Sequence, residues 1–158
     1  MKLSDIATLY GALPQAIALR KTLSDNATNT IWLKNIKASA VPLLFASVAP
    51  KAQQVFVFIL SDADEAGYFY NDLKTIAMPD DANEQTAEVL FFPSSYRRAV
   101  KYGQRDAGNE ILRTEVLSRL SVINEEKTTS SLPLCIVTEP SALAELVVAK
   151  HKLDEHTL

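Results

Sequence analysis

The spacing of apolar positions changes several times along the chain, and each change marks an element. Positions 55–60, Val55-Phe56-Val57-Phe58-Ile59-Leu60, are apolar without alternation. That is the pattern of a central parallel strand covered on both faces. After it, Ala66, Phe69, Tyr70, Leu73 and Ile76 recur at helical spacing, with Asp62 or Asp64 placed to cap the helix. A third strand is predicted at 89–92, closed by Pro93. Asn109 then opens a helix with Leu112, Val116, Leu120 and Ile123 on one stripe, and Glu115 and Arg119 spaced to pair on its outer face. A fourth strand follows at 134–137, and Pro140 starts a last helix running to about Ala149.

Upstream, Ile31, Trp32 and Leu33 centre a first strand at 30–34, followed by a helix from Ala38 or Pro42 to Val48. Two short helices precede it. Ser4 and Asp5 cap one that Gly11 ends, and Pro14 opens the other, which carries Ile17, Leu19 and Leu23. The order αα-βα-βα-β-loop-α-βα predicts an α/β fold, a four-stranded parallel sheet in a three-layer arrangement. Residues 1–28 form the helical start, 29–150 the α/β unit, and 151–158 the beginning of a linker.

Composition narrows the picture. The 158 residues, 47% hydrophobic and 22% charged, suit one globular domain. A net charge of −3 argues against holding nucleic acid by overall field alone. The single cysteine, Cys135, excludes an intramolecular disulfide and a cysteine-cluster metal site, and its apolar surroundings mark it as a buried thiol. No apolar stretch approaches the roughly 20 residues of a membrane span. Asp5 and Thr8 interrupt any leader-like pattern, so the cytoplasm is the expected compartment and no membrane partner is expected. His151 and His156 are five apart with no third ligand evident, which makes a metal site there unexpected. Residues 79–86 are polar and acidic and are read as a solvated loop.

Ligands of open α/β sheets bind beyond the carboxyl ends of the strands. In a phosphate loop, G-x-x-x-x-G-K-[ST], glycines let backbone N–H groups close on the phosphates, lysine neutralises them, and the hydroxyl ligates Mg²⁺. The octet after the first predicted strand is Asn35-Ile36-Lys37-Ala38-Ser39-Ala40-Val41-Pro42. Asn35 and Ala40 replace the glycines, Val41 replaces the lysine, and Pro42 replaces the hydroxyl and removes an N–H. A degenerate nucleotide site without cofactor follows, and no Ser-His-Asp or Cys-His set offers a catalytic residue. A receiver-type phosphorylation site at Asp62 would need an acidic pair after the first strand, where Lys34-Asn35 stands.

The loop carrying Tyr96, Arg97, Arg98, Lys101, Tyr102 and Arg105 mixes aromatic and basic residues. Single-stranded nucleic acid uses that combination. The plainer alternative is a polar loop whose arginines pair with nearby carboxylates or a neighbouring subdomain.

Several segments resemble, in order, pieces of one known family. They are residues 33–46 at the degenerate loop, 57–62 with 65–73, Val89-Leu90-Phe91-Phe92-Pro93-Ser94-Ser95-Tyr96-Arg97-Arg98, Asn109-Glu110-Ile111-Leu112-Arg113 through Leu120, and Ile136-Val137-Thr138 with Pro140-Ser141-Ala142-Leu143. Together they resemble the N-terminal module of the bacterial transcription-repair coupling factors, itself similar to the helicase-like core of excinuclease B. The resemblance implies a P-loop/RecA-like fold with a degenerate Walker A. It also implies an architectural role without ATPase activity, within a longer chain whose motor domains use ATP and Mg²⁺. Excinuclease A, RNA polymerase and DNA would be partners of that full-length protein, and other subdomains of the same chain would be partners of this module. Only about a dozen residues separate Tyr96 from the Asn109 helix, too few for the long DNA-probing hairpin of excinuclease B. A stand-alone nucleotide-dependent or nucleic-acid-binding domain is the alternative.

Overall fold

Three parallel strands form the centre, in the order β1 (Val55–Ile59), β3 (Leu134–Thr138), β2 (Glu88–Phe92). The computed structural model describes residues 3–25, 30–51, 55–78, 85–96, 105–126 and 132–147. Helices α1 (Leu3–Gly11), α2 (Pro14–Ser24), α3 (Ala40–Val48), α4 (Ala63–Ala77), α5 (Ala107–Glu126) and α6 (Pro140–Leu143) complete the described elements.

Strand β3 is buried at every position, and its alternate side chains feed two separate cores. Cys135 and Val137 join Val89 with Ala66, Leu73 and Ile76 of α4 and Ala46 of α3. Leu134 and Ile136 join Leu90 and Phe92 with Val116 of α5 and Ala142 of α6. Helices therefore cover both faces, the expected α/β layering. Phe45 of α3 meets the rings of Phe56 and Phe58 edge-on, and Tyr70 of α4 stacks on Phe91. The helical start packs on the outside of α3 through Ala16, Leu19, Leu44 and Val48. Arg20 donates to the Gly11 carbonyl at 2.6 Å, satisfying one of the acceptors that the end of α1 leaves open.

Helix α4 forms as its sequence predicts. Asp62 is the N-cap, its carboxylate accepting from the Glu65 amide at 2.9 Å, while the Glu65 side chain reaches back to the Ser61 amide.

Ser4 and Asp5 lie inside α1 rather than capping it, α5 opens at Ala107 rather than Asn109, and four larger expectations change. Residues 30–34 form no strand. Ile31, Trp32 and Leu33 are exposed there, Trp32 at 83%, and the described sheet has three strands rather than four. Strand β1 is an edge of that sheet, not its centre: Phe56 and Phe58 point into the core, whereas Val55, Val57 and Ile59 are exposed because α5 lies over β2 and β3. The unbroken apolar run marks an apolar environment on both faces that the described residues supply on one side only. The last helix ends at Leu143, with Leu146 and Val147 exposed. Arg119 sits half-buried and its Nε donates at 2.8 Å to Glu88 of β2, so it serves the sheet side of α5 rather than an outer-face pair alone.

No helix among the described residues is long and apolar enough to cross a membrane. Cys135 is buried, and burial pushes its thiol up to about 12. It is a packed side chain at neutral pH. No group of three or more His, Cys, Asp or Glu able to hold a metal occurs among the described residues. His151, His156 and the linker 151–158 lie outside them, as does most of the polar loop 79–86.

Candidate functional site

The described strands are all parallel, so their carboxyl ends share one edge. At the end of β2, Pro93-Ser94-Ser95 turns away from the sheet. At the end of β3, Thr138 is fully buried and donates through its hydroxyl to the Phe92 carbonyl at 2.7 Å, tying the two strand ends together. The first turns of α5 reach the end of β2 through Asn109 and Arg113.

A polar cluster fills this corner. The Asn109 side-chain amide donates to the Ser94 carbonyl at 2.8 Å, and the Asp106 backbone amide to the Ser95 carbonyl at 2.8 Å. Asp106 also accepts from the amides of Gly108 and Asn109, capping α5. Arg113, one turn further along, is buried. Its Nη1 donates to the carbonyls of Pro93 (2.8 Å) and Ala142 (3.1 Å), and its guanidinium lies 4.1 Å from the Phe92 ring centroid. Glu145, in the turn after α6, completes the cluster. Its carboxylate accepts from the Ser94 hydroxyl, from the Ser95 hydroxyl at 2.5 Å and from the Ser95 amide at 3.0 Å, with Arg113 Nη1 at 3.5 Å. No described side-chain N or O that is fully buried lacks a partner.

Burial acts to raise the Glu145 pKa, but the serine hydrogen bonds and the Arg113 charge outweigh it and hold the carboxyl below its ordinary 4.5. A carboxyl lowered by folding stabilises the folded state above its unfolded value, and that stabilisation is lost as pH falls through the folded value. The urea midpoint should therefore drop more steeply from about pH 5 to about pH 3 in the native protein than in Glu145→Gln. Parallel midpoint-against-pH curves for the two proteins would exclude this role for Glu145.

Comparison of the chain with protein-family models, curated proteins and solved structures gives no match.

The octet from Asn35 to Pro42 follows no strand among the described residues and is built as a turn leading into α3. Asn35 and Ala38 have φ of 63° and 48°, the left-handed region that glycine enters without strain. The amides of Ala40 and Val41 donate to the carbonyls of Lys37 and Ala38, and the Ser39 hydroxyl donates to Asp72 of α4 at 2.8 Å. Val41 is half-buried and Pro42 buried. These groups are thus engaged within the fold. Asparagine tolerates the left-handed region, but alanine there costs about 1–2 kcal/mol. Ala38→Gly should therefore gain about 0.5–1 kcal/mol after the entropy that glycine adds to the unfolded chain, seen as a melting temperature a few degrees higher. A lower melting temperature would contradict the strained turn.

Of the basic-loop residues, Tyr96 and Arg105 are joined by an antiparallel bridge that closes the loop at its root. Arg105 pairs with Glu110 at 2.8 Å. Arg97, Arg98, Lys101 and Tyr102 lie outside the described residues. Sequence reasoning missed Arg113 and Glu145. Arg113 had a signal, since it falls four residues after Asn109 on the apolar stripe of α5. Glu145 had none, because its serine partners are about 50 residues away in the chain.

Proposed function

We propose that this chain is a non-catalytic module similar to the N-terminal module of transcription-repair coupling factors, with the degenerate P-loop/RecA-like fold that the resemblance implies. In this reading it supports recruitment of nucleotide excision repair to stalled RNA polymerase and the regulation of neighbouring subdomains. ATP and Mg²⁺ act in motor domains elsewhere in a longer cytoplasmic protein, through which excinuclease A, RNA polymerase and DNA are reached.

The observation that carries the reading is the loop from Asn35 to Pro42. Asn35, at the position of the first motif glycine, has a glycine-like φ of 63°, while the amides of Ala40 and Val41 donate to carbonyls of their own turn. A glycine-like bend at that position, with the donors beside it serving the fold, supports the reading. The exposed side of β1 adds support. An edge that no further described strand pairs, carrying Val55, Val57 and Ile59 with no charged residue or proline among Val55–Ile59, suits a module covered by other protein.

Calorimetric titration of the chain with ATP and Mg²⁺ tests this. No saturable heat is expected up to millimolar nucleotide, whereas saturable micromolar binding would overturn the reading.

A further inference from the structure

Glu145 occupies its corner as a ligand would. Two hydroxyls, one backbone amide and one buried guanidinium converge on a single carboxylate at the carboxyl edge of a parallel sheet, where α/β proteins commonly take their ligands. The groups around it come from well-anchored parts: Ser94 and Ser95 are pinned by Asn109 and Asp106, and Arg113, which gives charge rather than a hydrogen bond to the carboxylate, by two carbonyls and a ring. The acceptor does not. Glu145 belongs to a turn between the four-residue α6 and the exposed Leu146 and Val147. The cradle is thus held by the sheet and α5, and the anion in it by a short tether.

We propose that Ser94, Ser95 and Arg113 form an anion-binding site for a phosphate group, which the chain itself fills with the Glu145 carboxylate. Hydroxyl and backbone-amide donors beside a guanidinium charge are groups that proteins use for phosphate oxygens. A phosphate entering the site displaces the side chain of Glu145 and releases the turn that carries Leu146 and Val147. The tethered carboxylate competes at an effective concentration in the millimolar range or above, so the filled site admits free phosphate weakly. Phosphate binding at this corner is independent of the proposed function and would survive its failure.

Titration of the full chain with inorganic phosphate against chloride at constant ionic strength, followed at the Ser95 amide by NMR, is the test. Glu145→Ala should bind inorganic phosphate at least tenfold more tightly than the native chain, and adding Ser94→Ala and Ser95→Ala should cancel the gain. A Glu145→Ala protein with a native-like amide spectrum and no gain would overturn the proposal, as would a gain that persists without the serines. Should Glu145→Ala fail to fold, Glu145→Ser, too short to reach Ser94 and Ser95, is read in the same titration with the same two outcomes. A thymidine oligonucleotide perturbing Ser95 at lower concentration than inorganic phosphate assigns the group to a nucleic acid backbone, and the reverse assigns it to a small phosphate ester.

Discussion

Arg113→Ala should lower the stability of the folded chain by about 3 kcal/mol, the largest loss expected from any single change at the strand ends. The reason is what the guanidinium leaves behind. The carbonyls of Pro93 and Ala142 lose their side-chain donor, the Glu145 carboxylate loses its cation, and the Phe92 ring loses its covering plane. Breaking a buried charged pair costs about 3–5 kcal/mol when the partner stays uncompensated. Glu145 keeps its serine donors, which places the expected loss at the lower end. Arg113→Lys retains the charge but not the planar fork that serves two carbonyls at once, so its stability should fall between those of the native chain and Arg113→Ala. Urea denaturation followed by circular dichroism gives the answer. A loss below about 1 kcal/mol, the level of an exposed pair, would mean that the cluster is not held by Arg113.

Leu73→Ala should cost a similar amount, about 2–5 kcal/mol. Leu73 is 1% exposed in the core between α4 and the sheet, among Ala66, Ile76, Val89 and Val137. Its truncation opens a cavity that neighbours fixed in strands cannot fill. The informative partner of this experiment is Val57→Thr, on the outer side of β1. Val57 is 53% exposed, and its replacement should change stability by no more than about 0.5 kcal/mol. Equal losses at the two positions would show that the outer face of β1 is packed in solution, contrary to the arrangement described.

The contrast between Leu73 and Val57 also marks how far the sequence could be read. Helix α4 was legible because its signals are local: a cap three residues from its donor amide and an apolar repeat on one face. The strands were legible as strands, but their order was not. Val55–Ile59 and Leu134–Thr138 are both apolar runs, and nothing within either states which will lie between two neighbours. Ile31, Trp32 and Leu33 have strand propensity without a strand beside them in the described sheet, and propensity alone does not hold an extended segment in place. At the site, Ser94, Ser95 and Asn109 stood in segments already conspicuous in the sequence. The contact that joins the serines to Glu145 spans about a third of the chain, and contacts of that separation leave no periodic trace.

The strand order has a consequence for how the molecule is made. β1 and β2 each pair with β3 and not with each other. A nascent chain that has emerged only as far as α5 therefore holds two strands with no ladder between them. Leu134–Thr138 closes the sheet in one late step, joining both earlier strands across long stretches of sequence. Such closure is slow, and until it occurs the apolar faces of both strands are open to the wrong partner. Once made, β3 is hydrogen-bonded on both sides, so its amides should be the last in the sheet to exchange with solvent.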